Sequence, residues 1–222
     1  MKNLSSIMKI SNLNFKKEKA IICLLFFVSL QILNAQTYSS EKIFLENWGS
    51  IYLPSSMEVQ AGINKQIVNE TKKEFSINAE KIVFQQKGLN DGENKETYAR
   101  IIIKTVDNTD TFPDLNSSKI TEKEINAYDK SYKEQTYEIA KNPKYNAKIG
   151  TWNSLKLLSI NNKKCLNYSY MRTVGENPET YIEYFIFWRG SIQHSLNIEY
   201  RVKDAKIWKE DLENCIKSLQ IN

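Results

Sequence analysis

The stretch YIEYFIFWRGSIQHSLNIEY, residues 181–200, constrains the fold more than any other part of the chain. Two runs of alternating apolar residues flank Arg189-Gly190. A glycine at a two-residue connection between such runs is a hairpin signal. With Arg189-Gly190 at the centre, Phe187 opposes Ile192, Phe185 opposes His194, Glu183 opposes Leu196 and Tyr181 opposes Ile198. An antiparallel sheet is expected around this hairpin.

Other segments extend that sheet. KIFLENWGSIYLP, 42–54, reads as an opening strand stopped by Pro54. Residues 80–88 and 97–107 read as strands, and Ile101, Ile102 and Ile103 make the second apolar on both faces. NAKIGTWNSLKLLSINNKKCLNYSYMRTV reads as strand, turn, strand, with Asn161-Asn162 at the turn because asparagine tolerates positive φ. Leu166, Tyr168 and Tyr170 then point one way, and Cys165, Asn167, Ser169 and Met171 the other. Residues 56–70 read either as a short helix or as a loop.

Two helices complete the set. Over 119–142, Thr121 and Glu124 form a capping-box pattern, and Ile125, Tyr128, Tyr132 and Ile139 recur at helical spacing up to Pro143. Over 204–220, Ile207, Trp208, Leu212, Cys215, Ile216 and Leu219 form an apolar stripe. Runs of strands with a few helices define an α+β chain.

The first 35 residues stand apart. Lys9, Lys16, Lys17 and Lys19 precede the 14-residue apolar run AIICLLFFVSLQIL, and NAQ, with one small residue at the cut point, follows. This is the pattern of a secretory signal peptide, with cleavage expected after Ala35. A membrane span needs about 20 apolar residues, so an uncleaved anchor is the weaker alternative. The long basic stretch leaves the start open between Met1 and Met8. Contact with membrane is expected only through this segment, and the remainder, 36–222, suits a single exported domain. The segment carries five lysines and Glu18, a net +4 of the chain's +5. The remainder is thus near neutral, with no charge argument for nucleic-acid binding.

His194 is the only histidine. The expected hairpin register puts Glu183 diagonal to it, about 7 Å away at the backbone. Two readings follow: an acid–base pair with a raised histidine pKa, or two polar groups satisfying each other inside a core. The second is preferred, because a lone histidine lacks the companion ligands or nucleophile that catalysis needs. Ser191 and Ser195 lie near it without a GxSxG motif, so a serine hydrolase is not supported. The sequence has neither a P-loop nor GxGxxG, and no cofactor is expected. Trp188 and Arg189, placed at the hairpin tip, are a candidate contact with a partner. Cys165 and Cys215 would close a loop of about 50 residues, worth roughly 4 kcal/mol if bonded. Two separate buried thiols are the equal alternative.

The succession of GSIYLP, the 119–142 helix, LSINNKKCLNYSY, YIEYFIFWRGSIQHSLNIEY and a last helix entering CIKSLQI resembles the Mog1/PsbP-like family. That resemblance spans nearly all of 36–222. It implies an α/β/α sandwich whose mostly antiparallel central sheet is covered by helices on both faces. It brings no shared catalytic motif, and it implies binding or accessory roles. The expected function is therefore a non-catalytic binding or accessory domain in the periplasm or secreted, whose partner is an envelope protein or surface ligand. A small envelope enzyme using Glu183 and His194, and a structural subunit docking through Trp188, are the alternatives.

Overall fold

Among the described residues, ten strands and two helices organise the chain between residues 40 and 222. The computed structural model describes residues 40–45, 48–61, 79–93, 95–108 and 111–222. The expected signal segment and most of the ambiguous 56–70 stretch lie outside them. Residues Ser40–Asn222 form one compact unit.

In chain order the elements are β1 (Ser40–Leu45), β2 (Gly49–Pro54), β3 (Met57–Val59), β4 (Ala79–Gln86) and β5 (Ala99–Asp107). Helix α1 (Glu122–Lys141) follows, then β6 (Ala147–Ile160), β7 (Lys163–Val174), β8 (Thr180–Arg189) and β9 (Ile192–Arg201). A single 3-10 turn leads into α2 (Ala205–Lys217), and β10 (Gln220–Ile221) ends the chain. The main sheet has seven strands in the order β3-β4-β5-β9-β8-β7-β6. Every pairing in it is antiparallel. A three-stranded sheet, β1-β2-β10, forms beside it in the same unit. The result is a sheet-dominated α+β fold. Among the described residues no helix is long and apolar enough to cross a membrane.

Local chemistry sets these elements. Asn161 and Asn162 have φ of 46° and 65°, as a two-residue type I′ turn requires, and Ile160 pairs with Lys163 across it. Asn161 then donates through Nδ2 to the carbonyls of Lys217 and Leu219, tying this turn to the end of α2. Thr121 caps α1: its hydroxyl accepts from the Glu124 amide, and the Glu124 carboxylate accepts from the Thr121 amide at 2.8 Å. At Gly49 a Cβ would sit 1.8 Å from the Gln220 carbonyl oxygen, so only glycine lets β10 close on β2.

Strand alternation divides the core in two. Phe185, Phe187, Leu196 and Ile198 join Ile51 and Leu53 of β2 and Trp208, Leu212 and Ile216 of α2. Ile182, Ile186 and Trp188 join Leu166, Tyr168 and Tyr170, and Ile125, Tyr128 and Tyr132 of α1 pack against them. Two expected stripe positions differ. Ile139 is 62% exposed and Ile207 56% exposed. Each adjoins a residue that takes the inward place, Ala140 and Trp208, and neighbours on a helix are separated by about 100°.

Candidate functional site

The lone imidazole lies under an indole ring. His194 is 3% exposed and stacks on Trp48 with ring centroids 4.9 Å apart and planes 12° from parallel. Its Nδ1 shares a 3.0 Å hydrogen bond with Thr105 Oγ1, the residue facing it on β5. Burial, aided by the Arg189 charge, lowers its pKa to about 4. At neutral pH the ring is therefore uncharged.

The expected Glu183–His194 pair does not form. The hairpin centre is Gly190-Ser191, one residue later than expected, so Phe187 opposes His194 and Glu183 opposes Ile198. Gly190 has φ of 62° and takes the first central place of the turn, where a type II′ connection puts its glycine. Amides of Phe112 and Asn108 donate to the Gly190 and Ser191 carbonyls and hold the turn there. Glu183 thereby lies four residues along the strand from the partner of His194, about 13 Å at strand rise. Its carboxylate accepts instead from Asn167 Nδ2 at 2.9 Å and from the Tyr181 hydroxyl at 3.1 Å.

The shifted turn also removes Trp188 from the tip. It pairs with Gln193 inside the ladder, is 4% exposed, and stacks on Phe112 at 4.8 Å with Tyr128 edge-on at 5.0 Å. Trp188 is thus buried, and of the expected contact pair Arg189 is the exposed member. Cys165 and Cys215 are free thiols buried in the same core cluster, not a disulfide. Burial pushes both up to about 12, with the Glu183 carboxylate adding to the effect at Cys165. Among the described residues no group of three or more His, Cys, Asp or Glu side chains is placed to hold a metal.

A wider concavity lies away from these groups. A groove of about 720 Å³ runs between α1 and the sheet. Such a volume suits a small ligand. One wall is aromatic. Tyr168 and Tyr184, paired across β7 and β8, stack at 4.9 Å and 8°. Tyr132 of α1 stacks on Tyr168 at 5.4 Å, and Tyr170 completes the surface. Burial keeps these phenols protonated: Tyr132 is pushed up to about 12, and Tyr184 well above its usual value. The other end is polar. Glu199, 6% exposed, accepts from the Tyr98 hydroxyl at 2.9 Å and from Asn197 Nδ2 at 3.0 Å, and Arg172 Nη2 stands 3.7 Å away. Burial works against the Arg172 charge, but Glu199 and the neighbouring phenols outweigh it and raise its pKa. Exposed Ile139 and Tyr145 form part of the rim.

The site thus offers stacking faces, neutral hydroxyl groups and a held ion pair. Sequence spacing identified Tyr168, Tyr170 and Tyr184 as strand aromatics and Tyr132 as part of a helix stripe. It carried no signal that they share one groove, nor that Arg172 meets Glu199 across two strands.

No protein-family model matches the chain, and no curated protein matches it. Solved structures do. A crystal structure from Bacteroides thetaiotaomicron VPI-5482 aligns with 82% of the chain at 13% identity and a TM-score of 0.40. The chain spans about half of that protein's length, 48%. The solution structure of cyanobacterial PsbP (CyanoP) from Synechocystis sp. PCC 6803 aligns with 85% of the chain and 96% of its own length. Identity there is 9% and the TM-score 0.50. The similarity to that solution structure gives the chain a PsbP-like fold.

Proposed function

We propose that the protein is an exported, non-catalytic binding or accessory domain of the bacterial cell envelope. Its ligand site is the groove beneath α1. The observation that carries this reading is the separation of the two candidate catalytic groups. His194 is buried and stacked on Trp48, Glu183 is held by Asn167 and Tyr181, and neither lines the groove. A cavity walled by tyrosine faces with a polar end suits an amphipathic small molecule. Its ring-bearing or apolar body lies on Tyr132, Tyr168 and Tyr184, and its polar end meets Arg172 and Asn197. Export rests on the basic and apolar pattern before Ala35.

The same reading adopts a three-layer α/β/α arrangement. It is supported by Tyr128 and Tyr132 of α1 packing with one core cluster while Trp208 and Leu212 of α2 belong to the other.

Native mass spectrometry of the exported domain, incubated with a small-molecule envelope extract, tests the proposal. A retained ligand is expected, and the rim substitutions Ile139→Glu and Tyr145→Ser should reduce its occupancy. Undiminished retention in both rim variants would remove the groove from the account. Substrate turnover lost in a folded His194→Gln variant would replace it with an enzyme.

A further inference from the structure

A second cavity, of about 330 Å³, opens at the hairpin end of the main sheet and is separate from the groove. We propose that it is an anion-binding site, taking the carboxylate or phosphate group of a small ligand. Its lining includes three cationic residues, Lys163 and Lys164 at the start of β7 and Arg189 at the end of β8. One acidic side chain faces them, Asp114, and its carboxylate is already engaged. It accepts from the Asn116 amide at 2.9 Å, from Asn116 Nδ2 at 3.2 Å and from Ser117 Oγ at 3.0 Å. The described side chains of the lining therefore carry an excess of positive charge.

The back wall is Trp48, Phe187 and the stacked His194. Aromatic walls exclude water, and a cation acts more strongly on an anion where the effective dielectric is low. The walls are also fixed to one another before any ligand arrives. The Lys164 amide donates to Asn116 Oδ1 at 2.8 Å, the Phe112 amide to the Gly190 carbonyl at 2.9 Å, and the Asn222 amide to the Trp48 carbonyl at 3.0 Å. Preset geometry of this kind lowers the ordering cost of binding. The volume is at the small end for ligand pockets, which favours a compact ligand.

His194 serves as a built-in reporter. It lines the cavity and is the only histidine, so its Cε1–H resonance is assigned by its presence alone. Inorganic phosphate and, separately, acetate should be titrated at pH 7 and constant ionic strength. A saturable shift with at least one of them is expected, at a Kd below about 10 mM. A tighter response to phosphate or to acetate identifies which anionic group the site prefers. The Lys164→Gln/Arg189→Gln variant should bind at least about tenfold more weakly, as charge-assisted contacts are lost. The Lys163→Gln/Lys164→Gln variant, which leaves the hairpin turn untouched, should show the same loss. Without anion, the Lys163→Gln/Lys164→Gln variant should leave the resonance in place, which checks that the wall is intact, whereas loss of the Arg189 charge beside His194 shifts it by a fixed offset. A linear, unsaturating drift, or saturation of equal strength in all three proteins, would overturn the assignment.

Discussion

Asp129 of α1 accepts a 3.0 Å hydrogen bond from the indole Nε1 of Trp152 on β6. The same oxygen accepts from the Leu155 amide at 2.7 Å. The ladder between β6 and β7 shifts register between Ile149 and Trp152 and again between Asn153 and Lys156. Those irregularities free the Leu155 amide from the ladder, and the helix supplies the acceptor. One carboxylate thus fixes α1 on the edge of the sheet and so sets one wall of the groove. Asp129→Ala leaves two partly buried donors unpaired and should lower stability by about 1–3 kcal/mol. Asp129→Asn keeps an acceptor and should lose less. Urea unfolding of the two variants checks the order, and equal stability of Asp129→Ala and the parent would contradict it.

Asn161 performs two tasks that a substitution can separate. Asn161→Gly keeps the positive φ but loses the bonds to Lys217 and Leu219 carbonyls, for a cost of about 1 kcal/mol. Asn161→Val meets both losses and adds the strain of a β-branched residue at positive φ, so it should be clearly worse. Thermal melting of both variants distinguishes them.

Trp188 is interior, so its truncation acts on stability rather than on recognition. Trp188→Ala should destabilise by about 3–5 kcal/mol through the cavity left against Phe112 and Tyr128. A loss of unfolding free energy below about 1 kcal/mol would place that ring outside the core after all.

The thiols make a separate test. Because Cys165 and Cys215 are buried with pKa values near 12, almost no thiolate exists at neutral pH. A disulfide-exchange reagent added to residues 36–222 at pH 7.5 should react with neither thiol in the folded domain and with both in denaturant. Rapid reaction of the native protein, or no reactive thiol after unfolding, would contradict the buried, unbonded state.

The sequence carried those parts of the fold that depend on local chemistry. The Thr121–Glu124 cap, the Asn161-Asn162 turn and the alternation along β7 are each decided within a few residues. The hairpin register was missed because glycine has two candidate places in a two-residue turn. Bonds from Phe112 and Asn108, about 80 residues earlier, hold the observed one. That single step moved Trp188 off the tip and separated Glu183 from His194. The groove was illegible for a related reason. Whether Tyr132 meets Tyr168 depends on where α1 lies, and Asp129 reaching a distant bulge helps to decide that. The Trp48–His194 stack likewise joins residues far apart in the chain, which periodicity does not report.

The central claim is that the lone imidazole is an interior, uncharged ring and not a catalytic group. Its folded pKa of about 4 lies below the 6.5 of an unperturbed histidine. Between those values the unfolded chain binds the extra proton, so this residue's contribution to stability is complete above pH 6.5 and is lost as pH falls toward 4. The loss amounts to about 3 kcal/mol at most. The direct measurement is an NMR titration of the single histidine Cε1–H resonance across this range in the folded protein. The account predicts a midpoint near pH 4, or acid unfolding before any midpoint is reached. A midpoint at or above 6.5 in a protein that stays folded would contradict it.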